Sequence, residues 1–411
     1  MTRFLRRLWV ELCRPRGIGR HRFYRVGRSS RAGIAMLLVL TSLFFMMVVV
    51  TEIVHGASVR IQLAAHQRDE AMAEALANTG VQTYRLILVA SKGIGQQFGA
   101  MMSQFGLGGD TLWEMVPFIN TGMMRMLLVS GSGLDEEEVE EFEEEGLTDE
   151  QRAESREAKA SSSKRNFLDF DGDFFAEVTD EDHKVHVGSF QATSFAELLG
   201  DYRAMQLYNL MSGEENDQFF YDENIDRWEI IGDLADWTDA DDDRVYRGGS
   251  ELTLYQRLED PYRPKNAPFD SMQEVRLVNG WHRDDIWERF GDHLTIYGGG
   301  KINVNTAGRE ELLALLRTYV TPNTPQYLDL LLSEINIYKS LANYPNAQSF
   351  VRHLESLGAT VDSRMQNAIT NESSVFRITS TGQVRDAVVT IEAIVDFSGS
   401  SLGKITYWRV D

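Results

Sequence analysis

The hydrophobic pattern begins with an uncharged stretch, residues 32–51, that is long enough to cross a bilayer core as a helix. Beyond it, side chains suited to one face recur near the helical period up to about residue 93. The positions that define this predicted face are Ile61, Ala65, Met72, Leu76, Thr83 and Ile87. No proline lies between Ile34 and Pro117. One helix is therefore predicted to run from the membrane segment into solution.

The pattern changes again further along the chain. Residues 174–190 alternate around a polar bend at 180–183, which is typical of a hairpin or of a strand followed by a bend. Residues 195–370 carry mainly helical patterns, and residues 375–410 contain three alternating runs joined by short turns. The last three runs predict an antiparallel meander. The order of these segments predicts an α+β fold, in which a large, mainly helical domain is inserted into a small α/β unit.

Charge is distributed unevenly about the apolar stretch. The first 33 residues contribute +9, from ten arginines and one glutamate, so the net charge of −21 leaves about −30 on the rest. This asymmetry predicts that the N-terminus lies in the cytoplasm and, in a bacterial setting, that the body lies in the periplasm. An acidic body is unsuited to nucleic acid, whose binding depends on cationic contacts to phosphate. Cys13 is the only cysteine, so the body forms no disulfide.

A Met-rich segment and an acidic insertion follow the first helix. The methionines of this segment are Met101, Met102, Met115, Met123, Met124 and Met126. Residues 135–145 read DEEEVEEFEEE and lead into a Ser/Lys/Glu/Ala stretch that ends near residue 165. Such a charge run predicts a solvated, disordered insertion, with cation collection or partner binding as the alternative.

A second acidic region, residues 234–255, reads LADWTDADDDRVYRGGSELTLY. Its carboxylates include Asp236, Asp239, Asp241, Asp242 and Asp243, and Glu251 follows a double glycine. Dense hard oxygen ligands suit calcium, and no nearby histidine or cysteine indicates zinc. The spacing is not that of an EF-hand. A solvated acidic loop is the equal alternative on spacing alone.

Residues 294–316 join a glycine-rich turn, Gly298–Gly300, to the run INVNTA and a helix. The turn lacks the phosphate-loop pattern. INVNTA is similar to the start of a helix-hairpin-helix DNA-binding unit, but the required Gly-hydrophobic-Gly hairpin is missing. We predict a structural helix start with Thr306 as a cap. No HExxH or GxSxG pattern occurs, and nothing assembles a nucleophile, a base and an oxyanion site, so no enzyme is predicted.

Four segments together resemble the minor pseudopilin K family of bacterial type II secretion systems. They are RAGIAMLLVL at 31–40, EALANTGVQTYRLIL at 74–88, the Asp-rich loop with GGSELTLY, and the run from Tyr262 to Pro268 with Ser271, Glu274, Val275 and INVNTA. The Asp-rich loop and INVNTA taken together are the most specific. The resemblance covers most of the chain from Ile34 onwards.

The resemblance implies a prepilin that is cut after Gly33, so that Ile34 becomes the new, methylated terminus. Most pilin-like subunits carry glutamate at mature position five, where this chain has Leu38. The lack of that carboxylate is typical of K-type subunits and fits a position at the tip of the assembly. The family also implies bound calcium, for which the predicted ligands are Asp236, Asp239, Asp241, Asp243 and Glu251.

The implied function is a minor pseudopilin that helps initiate pseudopilus assembly for export of folded periplasmic proteins. The implied partners are the I- and J-type minor pseudopilins, the major pseudopilin, the prepilin peptidase and the inner-membrane assembly platform. The chain would be a single-pass inner-membrane protein. Alternatives are an unprocessed, membrane-anchored periplasmic calcium-binding module and a DNA-uptake-related protein, which INVNTA favours and the acidic body opposes.

These predictions divide the chain into five parts. They are a cytoplasmic basic leader (1–33), an N-terminal helix (34–93, with 34–54 in the membrane and the rest periplasmic), the Met-rich segment with the acidic insertion (94–165), a pilin-like β portion (166–194 and 371–411) and an inserted helical domain with the Asp-rich loop (195–370).

Overall fold

The computed structural model describes residues 31–102, 112–124 and 171–411, except residues 189, 191 and 259. Most of the basic leader lies outside the described residues. So do most of the Met-rich segment and all of the acidic insertion. The predictions for these parts therefore stay predictions. Residues 112–124, inside the predicted Met-rich segment, do form regular structure.

The first element is a 72-residue helix, α1, Arg31–Met102. The chain divides into two compact units, Met1–Ala65 and His66–Asp411, and α1 contributes residues to both. In the first unit, the side chains from 34 to 55 are all exposed, and Met47 retains 71% of its surface. Among the described residues, this is the one helix whose length and apolar composition are sufficient to cross a membrane. It is compatible with a single-pass anchor.

The second unit combines short helices with β-strands. Its further helices are α2 (Leu112–Met115), α3 (Phe195–Gly200), α4 (Tyr202–Leu210), α5 (Glu214–Asp222), α6 (Arg227–Thr238), α7 (Leu252–Tyr255), α8 (Met272–Val275), α9 (Asp284–Phe290), α10 (Arg309–Tyr319), α11 (Pro325–Leu341), α12 (Ala347–Ser356) and α13 (Met365–Ala368). Its strands are β1 (Phe118–Asn120), β2 (Asp173–Asp180), β3 (Val185–His186), β4 (Leu294–Thr295), β5 (Ile302–Asn303), β6 (Val320–Thr321), β7 (Thr360–Val361), β8 (Ile369–Thr370), β9 (Val375–Val384), β10 (Ala387–Asp396) and β11 (Lys404–Val410).

The main sheet has five strands in the order β1-β2-β9-β10-β11, and every neighbouring pair is antiparallel. The last three strands form the predicted meander. Strand β2 pairs with β9 over its whole length, although nearly 200 residues separate them in sequence. The helical region lies between these two strands in sequence. The predicted α+β fold with a large helical insertion is therefore confirmed.

Helix α1 packs on one face of this sheet through small and medium side chains. The fully buried residues of this helix face are Ala73, Ala77, Val81, Tyr84 and Leu88. The predicted face was wrong at its first two positions, because Ile61 is 70% exposed and Ala65 is exposed, and Thr83 is only half-buried. Leu76 is buried as predicted, and Met72 and Ile87 lie at its margin.

The insertion has a hydrophobic core of its own, formed by residues between Val185 and Ile369. The second core lies between α1 and the sheet and contains no residue from this range. Inside the insertion, Trp281 is fully buried and its Nε1 donates to the carbonyl of Ile230 at 2.9 Å. The two cores explain why the insertion is a separate layer of structure rather than an extension of the sheet.

Local details settle one open sequence prediction and correct or refine two others. Strand β3 pairs in parallel with β4, so residues 174–190 form a strand followed by a bend rather than a hairpin. The helical run after Ser194 is broken at Asp201, which ends α3 and whose side chain caps α4. Thr306 is not a helix cap, because α10 begins after Gly308 and Thr306 Oγ1 bonds to Asp180 instead.

Candidate metal centre

Helix α6 places the first acidic residues of the Asp-rich loop. Asp226 caps its N-terminus by accepting a hydrogen bond from the N–H of Trp228 at 3.0 Å. The helix is buried from Ile230 to Thr238, which is unusual for a segment with two aspartates inside it. Asp236 lies in its last turn, and Asp239 follows the helix directly.

The loop after α6 brings Glu251 back to the C-terminal end of that helix, beside Asp236 and Asp239. Backbone hydrogen bonds from Arg244 N–H to Gly249 O (2.8 Å) and from Glu251 N–H to Asp242 O (3.1 Å) close it. Gly248 and Gly249 have φ values of +65° and +97°, so the double glycine supplies a left-handed turn that other residues adopt at a cost.

Three of the five predicted ligands converge. Ligand oxygens of Asp236, Asp239 and Glu251 all lie within 4.8 Å of one another. Oxygens that contact one calcium ion at 2.3–2.6 Å are at most roughly 5 Å apart, so this group has the dimensions of a single calcium site. The other two predicted ligands, Asp241 and Asp243, are exposed and lie outside this group.

Two of the converging carboxylates are buried and Asp239 is half-buried; Asp236 Oδ1 accepts the N–H of Val245 at 2.8 Å, but most of the other oxygens lack a hydrogen-bond partner. Asp236 is 2% exposed and Glu251 is completely buried. The oxygens without any hydrogen bond are Asp236 Oδ2, both of Asp239 and both of Glu251. Burying an ionised carboxylate without a partner is strongly unfavourable. The arrangement is thus complete only with a cation or with protons on these groups.

The pKa values of these carboxyl groups also reflect the lack of compensating positive charge. Burial, followed by repulsion from neighbouring carboxylates, raises the pKa of Asp236 to about 7 and that of Glu251 to about 9. Burial and the nearby Asp241 raise the pKa of Asp239 to about 6. Each of these groups therefore keeps a proton at a higher pH than a carboxyl group in solution.

Arg244 lies beside this group, but its hydrogen bonds go elsewhere. Its Nη2 donates to Asp233 Oδ1 at 3.0 Å and to Glu229 Oε1 at 3.3 Å. Its Nε lies 3.9 Å from Asp236 Oδ2, beyond hydrogen-bond distance. Asp233 therefore has a hydrogen-bonded arginine, whereas Asp236 has only a long ion pair with that arginine.

Two neighbouring side chains shape the loop. Asp241 Oδ1 accepts the N–H of Asp243 at 2.8 Å, which stabilises a turn. Asn266 was not predicted as a ligand, although it belongs to the quoted run from Tyr262 to Pro268. Its Nδ2 donates to Asp241 O at 2.5 Å, and its Oδ1 is buried with no partner. An amide oxygen is a neutral donor of the kind that calcium accepts.

Residues 222–298, which include the whole candidate site, match the family model for the first domain of type II secretion system protein K. The chain carries a type II secretion system protein K domain. The K family expected from the sequence is confirmed by this match. Proteins of this family are structural, non-catalytic components of the secretion system.

Solved structures are also similar, and one of them is described as the crystal structure of the GspK-GspI-GspJ complex from the enterotoxigenic Escherichia coli Type 2 Secretion System. The similarity has a TM-score of 0.44 and 16% sequence identity, and it covers 59% of this chain and 80% of the other. No curated protein matches the sequence.

Proposed function

We propose that this chain is the tip subunit of a pseudopilus and helps to initiate its assembly for the export of folded periplasmic proteins. The protein K domain is the single observation that carries this proposal. A long apolar N-terminal helix and an antiparallel sheet packed on the continuation of that helix support it. Partners of the I and J types, the major pseudopilin, the prepilin peptidase and the assembly platform belong to the same proposal.

Leu38 is the residue that favours a tip position. In a pilus, the carboxylate at mature position five pairs with the N-terminal amine of a neighbouring subunit. If cleavage after Gly33 exposes Ile34, this position is an apolar leucine, whose side chain is exposed on α1. A subunit without the carboxylate lacks a counter-ion for the amine of a copy stacked above it. Such a subunit is best placed at the tip, where no other subunit lies above it.

Processing at Gly33 can be tested directly. In a strain with prepilin peptidase, we expect the membrane-extracted chain to begin at Ile34, and the variant Gly33→Val to keep its leader. Gly56→Val is the matched control, because a Cβ at Gly56 meets no atom within 4 Å. The readouts are N-terminal sequencing and secretion of an exported enzyme. A wild-type chain that still begins at Met1 would favour the unprocessed membrane anchor.

We further propose that Asp236, Asp239 and Glu251 hold a calcium ion, with Asn266 as an additional oxygen ligand. Calcium would supply the positive charge that these buried oxygens lack and would fix the 240–250 loop to the end of α6. The carboxylates, the buried amide oxygen and the closed loop support this assignment. Asp241 and Asp243 have the weaker case, since both side chains are exposed.

The stability of the calcium-free protein is expected to fall as the pH rises. The carboxyls of Asp239, Asp236 and Glu251 have folded-state pKa values of about 6, 7 and 9, above the ordinary values of 3.8 and 4.5. A raised pKa means that protonation favours the folded state, so this stability is present below about pH 4 and is lost as pH passes each folded pKa. Melting temperatures of metal-free protein between pH 5 and 8 measure the effect.

Saturating calcium is expected to flatten this pH dependence, because the ion replaces the protons. The comparison uses the same buffers with and without millimolar calcium. An unchanged melting temperature of the metal-free protein across this range, with no response to calcium at pH 8, would contradict the site while leaving the secretion role open.

A further inference from the structure

The boundary between the insertion and the sheet contains buried charge. Strand β2 ends at Asp180, where the chain passes into the insertion, and the chain returns to the sheet at Val375. Three consecutive carboxylates occupy this crossing. Asp180, Glu181 and Asp182 are 3%, 0% and 5% exposed. Buried acidic residues of this kind are rare without specific partners.

Asp180 Oδ1 accepts the N–H of Asp182 at 2.8 Å, and the partners of its Oδ2 come from the INVNTA run of the insertion. Asp180 Oδ2 accepts hydrogen bonds from Thr306 Oγ1 at 2.5 Å and from Asn303 Nδ2 at 3.1 Å. The same amide nitrogen donates to Ser373 Oγ at 2.8 Å. Asn303 also donates its backbone N–H to Asp182 O at 2.8 Å. Asn303 therefore contacts both the outgoing and the returning segment.

The returning segment is held in the same way. Asp182 Oδ2 accepts from the N–H of Ser374 (2.6 Å), from Ser374 Oγ (2.8 Å) and from the N–H of Val375 (3.1 Å). Glu181 bonds to Arg377 on β9 at 2.5 Å. Gly298 lies against this point with a φ of +86°, and a Cβ there would be 2.7 Å from Asp182 Oδ1. The glycine-rich turn thus makes room for the carboxylate.

Asn305 extends the contacts to Tyr344 of the insertion and to Asn371, close to the returning segment. Its Nδ2 donates to Tyr344 O at 3.1 Å and to Asn371 O at 3.0 Å, and its Oδ1 accepts the N–H of Tyr344 at 2.8 Å. The polar side chains of INVNTA, those of Asn303, Asn305 and Thr306, therefore all form hydrogen bonds with segments outside this run.

We propose that Asn303 and Thr306 are positioning residues that lock the inserted helical domain in one orientation on the sheet. Their groups with Asp180, Asp182, Ser373 and Ser374 form what we term the junction cluster. A hydrogen bond satisfies its partners only over a narrow range of distances and angles. Rotation of the insertion would leave Asp180 Oδ2 buried without its donors, which is costly. The hydrophobic cores on either side have no comparable directionality.

Paired spin labels test this orientation in the full-length, detergent-extracted chain. Cys13 is the only cysteine, so a Cys13→Ser background takes labels at two chosen sites alone. We use Val388→Cys on the sheet and Tyr221→Cys on the insertion, since these side chains are 55% and 83% exposed. The expected result is one narrow distance distribution for the parent and a clearly broader one for Asn303→Leu with Thr306→Val.

Thr318→Val is the matched control, because Thr318 accepts from Asn209 Nδ2 at 3.0 Å inside the insertion and does not contact the junction cluster. Its distance distribution should equal that of the parent. If the double variant does not fold, as judged by circular dichroism, the milder Thr306→Val alone is measured and should still broaden the distribution. A folded variant with a distribution as narrow as the parent's overturns the proposal.

Discussion

Replacing Gly382 by alanine is expected to lower the melting temperature by about 6 to 12 °C. Gly382 lies on β9 directly beneath α1, and a Cβ there would be 2.0 Å from Ala73 O and 2.7 Å from Ala77 N. Both are backbone atoms, so the helix itself has to move away from the sheet. Overpacking of this kind costs about 3 kcal/mol, and each kcal/mol corresponds to about 2–4 °C in a domain of this size.

Gly399→Ala is the control for this substitution, because a Cβ at Gly399 meets no atom within 4 Å. Gly80→Ala provides an intermediate case. Its closest contact, at 2.2 Å, is the hydroxyl of Ser380, which is a side-chain atom and not part of the backbone. Thermal unfolding followed by circular dichroism should therefore show the largest loss of melting temperature for Gly382→Ala, a smaller loss for Gly80→Ala and the smallest for Gly399→Ala. Equal melting temperatures for Gly382→Ala and Gly399→Ala would show that α1 does not pack this closely.

The same close contact explains why the helix face was predicted only approximately. Periodicity gives weight to large apolar side chains, such as Ile61 and Ile87. The sheet instead approaches α1 along a line of small residues, Ala73, Ala77 and Gly80, which carry little hydrophobic signal. Which stripe of a helix is buried depends on the surface opposite it, and a single sequence does not show that surface.

The sheet itself was largely predictable, because β9, β10 and β11 are long and alternate regularly. Strand β1 was missed. It has three residues, Phe118–Asn120, and is paired with β2 across more than 50 residues of sequence. So short a strand owes its conformation to its partner, not to its own pattern. The insertion was predicted from the order of segments, and its internal two-stranded pairings were not.

The candidate site was predicted as a region, with three of its five residues brought together. Asp236 lies in the last turn of α6 and Asp239 directly follows the helix, so the sequence indicates that they are close together. Glu251 joins them only because Asp242 and Gly249 close the loop by backbone hydrogen bonds. Spacing does not reveal that Asp241 and Asp243 point into solvent, nor that the amide oxygen of Asn266 is buried beside the loop.

Replacing Glu251 by glutamine is expected to change stability in opposite directions with and without calcium. In the metal-free protein at pH 8, Gln removes the carboxyl whose pKa is raised to about 9, so the melting temperature should rise. In saturating calcium, the loss of a charged ligand should weaken binding and lower the melting temperature. A ligand at 100 times its Kd contributes about 2.7 kcal/mol, and each kcal/mol is about 2–4 °C, so the loss should be about 5 to 10 °C.

Asp260→Asn is the matched control, because Asp260 is exposed and this substitution removes the same charge from the same domain. It should shift neither melting temperature by more than about 1 °C, as is usual for surface substitutions. The opposite signs matter because a purely structural glutamate would give a loss of stability under both conditions. A net-charge effect would instead give the same small change for Asp260 as for Glu251. A change in melting temperature of opposite sign with and without calcium requires a carboxylate that destabilises the metal-free protein and that a bound cation neutralises.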